Sequence, residues 1–425
     1  MAKNFTLLLT TIFLLFILGE WLFPRLLGKL PLRLYGSIET NLRILAQSSK
    51  KDLLPNEYIA IAGDSYAVGS GDWLDEARKK SFLGSPDYSP AHLIYKKIGI
   101  DVVSFGQGGV GSFGGIWKEP ITQFLYINSV KNFQLFPPKV FLVFFYEGND
   151  IYNNVQFIRG KFLSIQKGSQ KNKIALNEVP AFLNLEFQNV LNGDYDRSLW
   201  KNLLFTRSFI QGILNLMKEL SSLNKNHTSY FPFPKTPISL ALINGTQTPL
   251  PMHLQGPPLF FKASDPILGQ KDFSRDEQLK EFYITEEEYK LGLYVFEQAL
   301  AALVEFFPQA EIKVIFIPSP LSSYQMISPK VSYRGMVGNK GLMETAIIKK
   351  RHVKICESIK TISLASGASF LNTTKSLRKV SSQGFIHGPV DWDHFNKAGY
   401  EALSTDIAKV FLKPKGIARV DNCID

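Results

Sequence analysis

Two short strings near opposite ends of the chain bring together residue types that can activate a serine. Gly63-Asp64-Ser65 places a hydroxyl directly after an apolar run. Asp391-Trp392-Asp393-His394 places a carboxylate and an imidazole three positions apart, just ahead of a helical pattern. A serine hydroxyl is a weak nucleophile at neutral pH. It needs a base within hydrogen-bond reach, and that base needs a third group to hold its tautomer. His394 and Asp391 have that chemistry, because residues at i and i+3 share one face of a helical turn. Asp391 would then favour the imidazolium formed after attack. The tetrahedral intermediate needs donors for its oxyanion, and the candidates are the backbone N–H of Ser65, the backbone N–H of Gly109 and the side-chain amide of Asn149. Glycine suits Gly109, where backbone must come close to substrate.

Such groups have to be carried on a frame. Five apolar runs read as strands: Tyr58–Ala62, Asp101–Phe105, Lys139–Tyr146, Glu311–Ile317 and Ala368–Leu371. Continuous apolar runs ended by turn residues suit strands buried on both faces of a parallel sheet. Helical periodicity lies between them. Glu286–Phe306 carries Leu291, Leu293, Val295, Phe296, Leu300 and Leu303, and Gly399–Phe411 aligns Leu403, Ile407, Val410 and Phe411. Alternating strands and helices predict an α/β fold, a three-layer α/β/α sandwich around a parallel five-stranded sheet of flavodoxin-like kind. Ligands of such sheets sit at the carboxyl ends of the strands, and Ser65, Gly109 and Asn149 all follow strand candidates.

Two regions fall outside the frame. Phe5–Leu18 is almost wholly apolar, and Trp21-Leu22-Phe23 extends the run to near the length that spans a bilayer. It ends in Phe23-Pro24-Arg25 with no small-residue cleavage pattern, which predicts an uncleaved anchor rather than a signal peptide or a buried helix. Between Asp150 and about Thr285 the strand–helix alternation breaks. Trp200–Met217 reads as a helix, and Tyr230–Phe261 is rich in proline. A loop that long without structure is uncommon in a compact domain, so an insertion is expected, part helical and part irregular. Two readings stay open for it: a cover over the site, or a passive surface excursion. The expected organisation is an anchor at 1–27, a linker at 28–55, a main domain at 56–150 and 286–415, an insertion at 151–285 and a tail at 416–425.

The four blocks together resemble the SGNH, or GDSL, hydrolase family. The first block of that family, Gly-Asp-Ser with its nucleophile, matches Gly63-Asp64-Ser65. The second, with an oxyanion glycine, resembles Ser104-Phe105-Gly106-Gln107-Gly108-Gly109, which puts that role on Gly109. Ser104 stands where the family often has asparagine, and Gly108 or Gly106 could serve instead. The third, Gly-x-Asn-Asp, corresponds to Glu147-Gly148-Asn149-Asp150 with Glu147 in place of the first glycine. The last, Asp-x-x-His, matches Asp391-Trp392-Asp393-His394. The resemblance covers about residues 56–150 and 308–412. It implies a Ser65–His394–Asp391 triad and an oxyanion hole of Ser65, Gly109 and Asn149. It also implies an esterase without metal or organic cofactor, acting on a small-molecule or glycan ester. The charges flanking the apolar run, Lys3 on one side and Arg25, Lys29 and Arg33 on the other, do not favour an outward-facing domain. The family's frequent export does favour it.

Other readings are weaker. Gly106-Gln107-Gly108-Gly109-Val110-Gly111 fits a dinucleotide fingerprint, but no Asp or Glu occurs from Pro120 through Tyr146 to hold a ribose. His387 is the rival base and Asp393 the rival acid, although Asp391 is better spaced to serve His394 and the side chain of Asp393 diverges from it. Asp64 is expected to accept loop N–H bonds. A net charge of +11 without a long Lys/Arg block does not suggest a nucleic-acid partner. Cys356 and Cys423 form neither a disulfide framework nor a zinc spacing. Three Asn-x-Thr strings, at Asn226, Asn244 and Asn372, carry no weight. Two further functions share part of this pattern: an O-acyltransferase acting on an envelope polysaccharide with the same residues, and a non-catalytic envelope scaffold or glycan-binding protein.

Overall fold

The computed structural model describes residues 2–30, 35, 38, 40–80, 87–165, 177–193, 195, 202–222, 238–261, 284–335, 340–412 and 422–423. Its centre is one sheet made from the five apolar runs: β1 (Ile59–Ala62), β2 (Val102–Ser104), β3 (Val140–Tyr146), β4 (Glu311–Ile317) and β5 (Ser369–Asn372). All neighbours are parallel, in the order β5-β4-β3-β1-β2. Ile59 lies opposite Val102 on one side and Val140 on the other, which fixes the register at the sheet's centre.

Successive side chains of a strand point to opposite faces, so each apolar run feeds two cores. Ala60, Ala62, Phe141, Val143 and Phe145 belong to one, and Ile59, Ile61, Leu142, Phe144 and Tyr146 to the other. The principal helices are, in chain order, α1 (Ala2–Leu26), α2 (Pro90–Ile98), α3 (Glu119–Ser129), α4 (Asp150–Ile165), α5 (Leu204–Ser222), α6 (Glu286–Phe306), α7 (Thr345–Ala365) and α8 (Lys397–Leu412). The first core is covered by α3, α4, α6 and α7, and the second by α2 and α8. This is the three-layer α/β/α sandwich that the alternation predicts. Local signals set the helix ends. Thr285 and Glu288 form a reciprocal capping box at the start of α6. Ser89 and Pro90 start α2, and Gly99 ends it in the left-handed region.

The proline-rich stretch contains more order than its composition suggests. Leu240–Ile243 and Thr246–Pro249 form a hairpin through an Asn244-Gly245 turn in which both residues have positive φ. Leu254–Gln255 then runs parallel to Lys330–Arg334, which pairs in turn with Lys340–Glu344. The predicted helix over Trp200–Met217 is α5; Trp200 itself, and the string at Asn226, lie outside the described residues. Cys356 of α7 is joined to Cys423 by a disulfide with a Cα–Cα distance of 5.7 Å, so the two cysteines, which make no framework, do make a bond. At the other end of the chain, Lys3–Lys29 is one continuous helical stretch long and apolar enough to cross a membrane.

Candidate active site

The strand order reverses between β1 and β3, and in sheets of this kind the crevice beyond the strand ends at that point receives ligands. Ser65 follows β1 and Asn149 follows β3, on either side of that reversal. Gly63 turns the chain out of β1 with φ +145°; a Cβ there would stand 2.9 Å from the Phe144 carbonyl oxygen, so only glycine allows the turn. Asp64 caps the short helix Ser65–Val68 by accepting the Tyr66 N–H at 2.9 Å. The serine is thereby presented at the head of a turn, 9% exposed.

Ser65 Oγ lies 2.9 Å from His394 Nε2, and His394 Nδ1 lies 2.6 Å from Asp391 Oδ2. The other carboxylate oxygen of Asp391 accepts the Asp393 and His394 N–H groups at 2.9 and 3.2 Å. A carboxylate held by its own loop therefore orients the imidazole, and the imidazole faces the hydroxyl. Burial alone would depress the His394 pKa. The hydrogen bond and charge of Asp391, with smaller contributions from Asp64 and Asp393, outweigh burial and hold the ring above its ordinary value. Asp391 is pushed up by burial, but the hydrogen bond and charge of His394 and the two N–H donors bring it below the usual carboxylate range.

The rival groups are engaged elsewhere. His387 is fully buried beside the Tyr324 hydroxyl, at 3.2 Å, and burial drives its pKa down to about 3. Asp393 pairs with the guanidinium of Arg334. Asp64 also receives a 3.3 Å hydrogen bond from Ser65 Oγ and one from the Asn149 side chain, and burial holds its carboxyl above its ordinary value. Burial, and after it the charge of Asp64, drives Asp150 further up.

The oxyanion candidates are not placed alike. Asn149 is buried next to Asp64, and its Oδ1 has no hydrogen-bond partner among the described residues. Gly108 is the glycine beside Ser65, since a Cβ on it would stand 3.8 Å from Ser65 Cβ. Gly109, one residue on, has φ +75° and open space around its Cβ position. A cavity of about 280 Å³ borders this turn, lined by Ala67, Val68, Gly106 and Gly108 and by Arg43 and Gln47 of the segment after α1. Among the described residues, no cluster of His, Cys, Asp and Glu has the arrangement of a metal site.

Several residues that build the site carry no signal in the sequence. Asp72 accepts the Val390 and Asp391 N–H groups at 2.9 and 2.5 Å and so fixes the loop bearing the acid. Tyr66 donates to the Asp393 carbonyl at 2.7 Å, and its ring packs 4.3 Å from that of Tyr146. Tyr146 donates to Gln255 at 2.9 Å, and Gln255 donates to the Gly148 carbonyl at 3.0 Å, next to Asn149. Arg334, which holds Asp393, donates to the His253 carbonyl at 3.1 Å. The segment between β3 and β4 thus supports the walls of the site through Gln255 and His253. These partners are more than 50 positions from the residues they fix, and no local spacing could show them.

No family model matches the chain, and no curated protein matches it. Among solved structures, an acetyl xylan esterase, Est2A, from the rumen bacterium Butyrivibrio proteoclasticus is similar with a TM-score of 0.30 and 11% identity. The alignment covers 84% of this chain and 64% of that one, so the chain spans less than two thirds of that protein's length.

Proposed function

We propose that the chain is a membrane-anchored serine esterase of SGNH type acting on an O-acyl ester of a small molecule or glycan. One observation carries the reading: hydroxyl, imidazole and carboxylate are in line, at 2.9 and 2.6 Å, where the sheet order reverses. Ser65 Oγ attacks the ester carbonyl while its proton passes to His394 Nε2. Asp391 stabilises the imidazolium. The negative oxygen of the tetrahedral intermediate is held by the Ser65 N–H, the Asn149 amide and a glycine N–H of the second block, Gly109 or its neighbour Gly108. As the intermediate collapses, the alcohol leaves with the proton from His394 and Ser65 carries the acyl group. A water then gives its proton to His394, attacks the acyl carbon and releases the acid, and the proton returns to Ser65.

The domain that does this comprises 56–150 and 286–415, with 151–285 inserted and α1 as anchor. We place it outside the cytoplasm. The disulfide between Cys356 and Cys423 supports that placement, because such bonds persist in oxidising compartments. Hydrolysis of p-nitrophenyl acetate by the detergent-solubilised full chain tests the reaction. Turnover above that of His394→Ala is expected. Equal rates for the two folded proteins would contradict the esterase reading.

A further inference from the structure

Helix α5, within the insertion, exposes Phe209, Ile210, Ile213, Leu214 and Met217, each between 40 and 53% accessible. Their spacing places all five on one face of the helix. A contiguous apolar face on a soluble surface marks a binding surface.

What covers it is set by where α5 sits. Phe16 of α1 packs edge-on against both Phe205 and Phe209, each at 5.7 Å, and Phe23 packs on Phe205 at 5.7 Å. Gly19 makes room, since a Cβ there would run into the Phe205 ring. Glu20 caps the start of α5, accepting the Phe205 and Thr206 N–H groups at 2.9 and 2.8 Å and the Thr206 hydroxyl at 2.6 Å. Residue 205 thus meets 19–23 and residue 209 meets 16, so the two helices are antiparallel. The later turns of α5 run beside the most apolar part of α1, where Leu7, Phe13, Leu14 and Leu15 are exposed by 57–68%. The two apolar surfaces meet where Phe16 packs on Phe209. At the foot of the pair, Arg25, Lys29, Lys51 and Lys131 line a cleft of about 680 Å³, and basic side chains at that level suit lipid headgroups.

We infer that the apolar face of α5 lies in the lipid bilayer alongside α1, so that the protein enters the membrane with two elements rather than one. Among the described residues α1 alone is long and apolar enough to span, and the chain after α5 is back in the second core by Ala241, so α5 is immersed beside α1 and is not a second span. The foot of α5 is also tied to the sandwich: Asn202 accepts the Lys131 N–H at 2.9 Å, and Arg207 donates to the Tyr126 hydroxyl of α3. The pair therefore sets the height and tilt of the Ser65 site above the lipid, which a single helix followed by a linker would leave free.

The inference rests on α1 being a membrane anchor and is independent of the chemistry at Ser65. Both native cysteines are in the disulfide, so a thiol-reactive environment-sensitive fluorophore reports on one introduced cysteine at a time. The full chain is placed in phosphatidylcholine–phosphatidylglycerol vesicles as Ile213→Cys or Met217→Cys on α5, Leu14→Cys on α1, and Leu342→Cys on the Lys330–Glu344 hairpin. With doxyl-labelled lipid, the α5 and α1 positions should lose emission to a similar extent while iodide leaves them unchanged, and Leu342→Cys should show the reverse. Iodide quenching at both α5 positions would put that face in water, and protection from both quenchers would put it against protein, such as a second copy. Either result overturns the inference. Lipid quenching absent at Leu14→Cys as well would remove the anchor reading and this inference with it.

Discussion

Among the described residues, two serine–carboxylate–histidine groups are joined by hydrogen bonds throughout, Ser65–His394–Asp391 and Ser319–Glu147–His352, and they differ in the order of those bonds. In one, the imidazole is in the middle: Ser65 meets His394, and His394 meets Asp391. In the other, the carboxylate is in the middle: Glu147 accepts the Ser319 hydroxyl and N–H at 2.7 and 2.8 Å, and lies 2.7 Å from His352 Nδ1. A hydroxyl bound to an imidazole can hand over its proton and attack. A hydroxyl donating to a carboxylate below the usual pKa range has no such acceptor, because that carboxylate is a weak base. Exposure sharpens the contrast. The side chains of His394 and Asp391 are 24 and 29% accessible, whereas those of His352 and Glu147 are 1 and 0%. The same residue types thus make a partly accessible hydrogen-bonded group at the strand ends, the reaction centre we propose, and a buried clasp between β3, the end of β4 and α7.

Exchanging the parts of the two groups should separate chemistry from stability. The largest effect is expected from Ser65→Ala, which should lower kcat for ester hydrolysis by ~10⁶-fold with the melting temperature nearly unchanged. Ser319→Ala should leave the rate per folded molecule intact. Equal losses in the two variants would erase the distinction.

Asp391→Asn should cost ~10⁴-fold in kcat, and the pH profile adds a sign. His394 must be neutral to act as base, and Asp391 holds its pKa up. In the wild type, kcat/KM should therefore rise with pH through a value above that of ordinary histidine. In the Asp391→Asn protein the acid limb should move to lower pH. An unmoved limb would show that Asp391 is not the group acting on His394.

Glu147→Gln breaks the buried clasp and should cost about 3–5 kcal/mol, read by chemical denaturation. Burial raises the Glu147 pKa, but the charge and hydrogen bond of His352 and the donors of Ser319 bring it below the usual range. Its contribution is thus present above the ordinary carboxylate pKa and lost as pH falls through the depressed value. The variant should show less acid sensitivity than wild type between those limits. Asn149→Ala should then reduce kcat by about 10²–10³-fold with little change in KM. A change in KM alone would assign Asn149 to substrate binding instead.

The five strands were legible because each is an apolar run ended by turn residues, and burial on both faces requires such runs. Helix α6 was legible by its stripe and its Thr285–Glu288 cap. Helix α7 was not, because two of its inward positions are Arg351 and His352, which look like surface until Glu147, 205 positions away, is placed beside His352. The hairpin at Asn244-Gly245 did have a local signal, hidden among prolines. At the site, short strings carry Ser65, Asn149, Asp391 and His394, since each string is also a local turn. Asp72, Gln255 and Arg334 are set by contacts across the fold and leave no trace in nearby sequence. The pairing of Cys356 with Cys423 is likewise a matter of tertiary distance, not of spacing.

The most direct test of the difference between the two serines is a fluorophosphonate adduct mapped by peptide mass spectrometry on the folded full chain, with His394→Ala alongside. The account predicts one adduct, on the peptide containing Ser65, which disappears in His394→Ala. A folded wild-type protein that stays unlabelled, or one labelled at Ser319 or in a manner independent of His394, would contradict it.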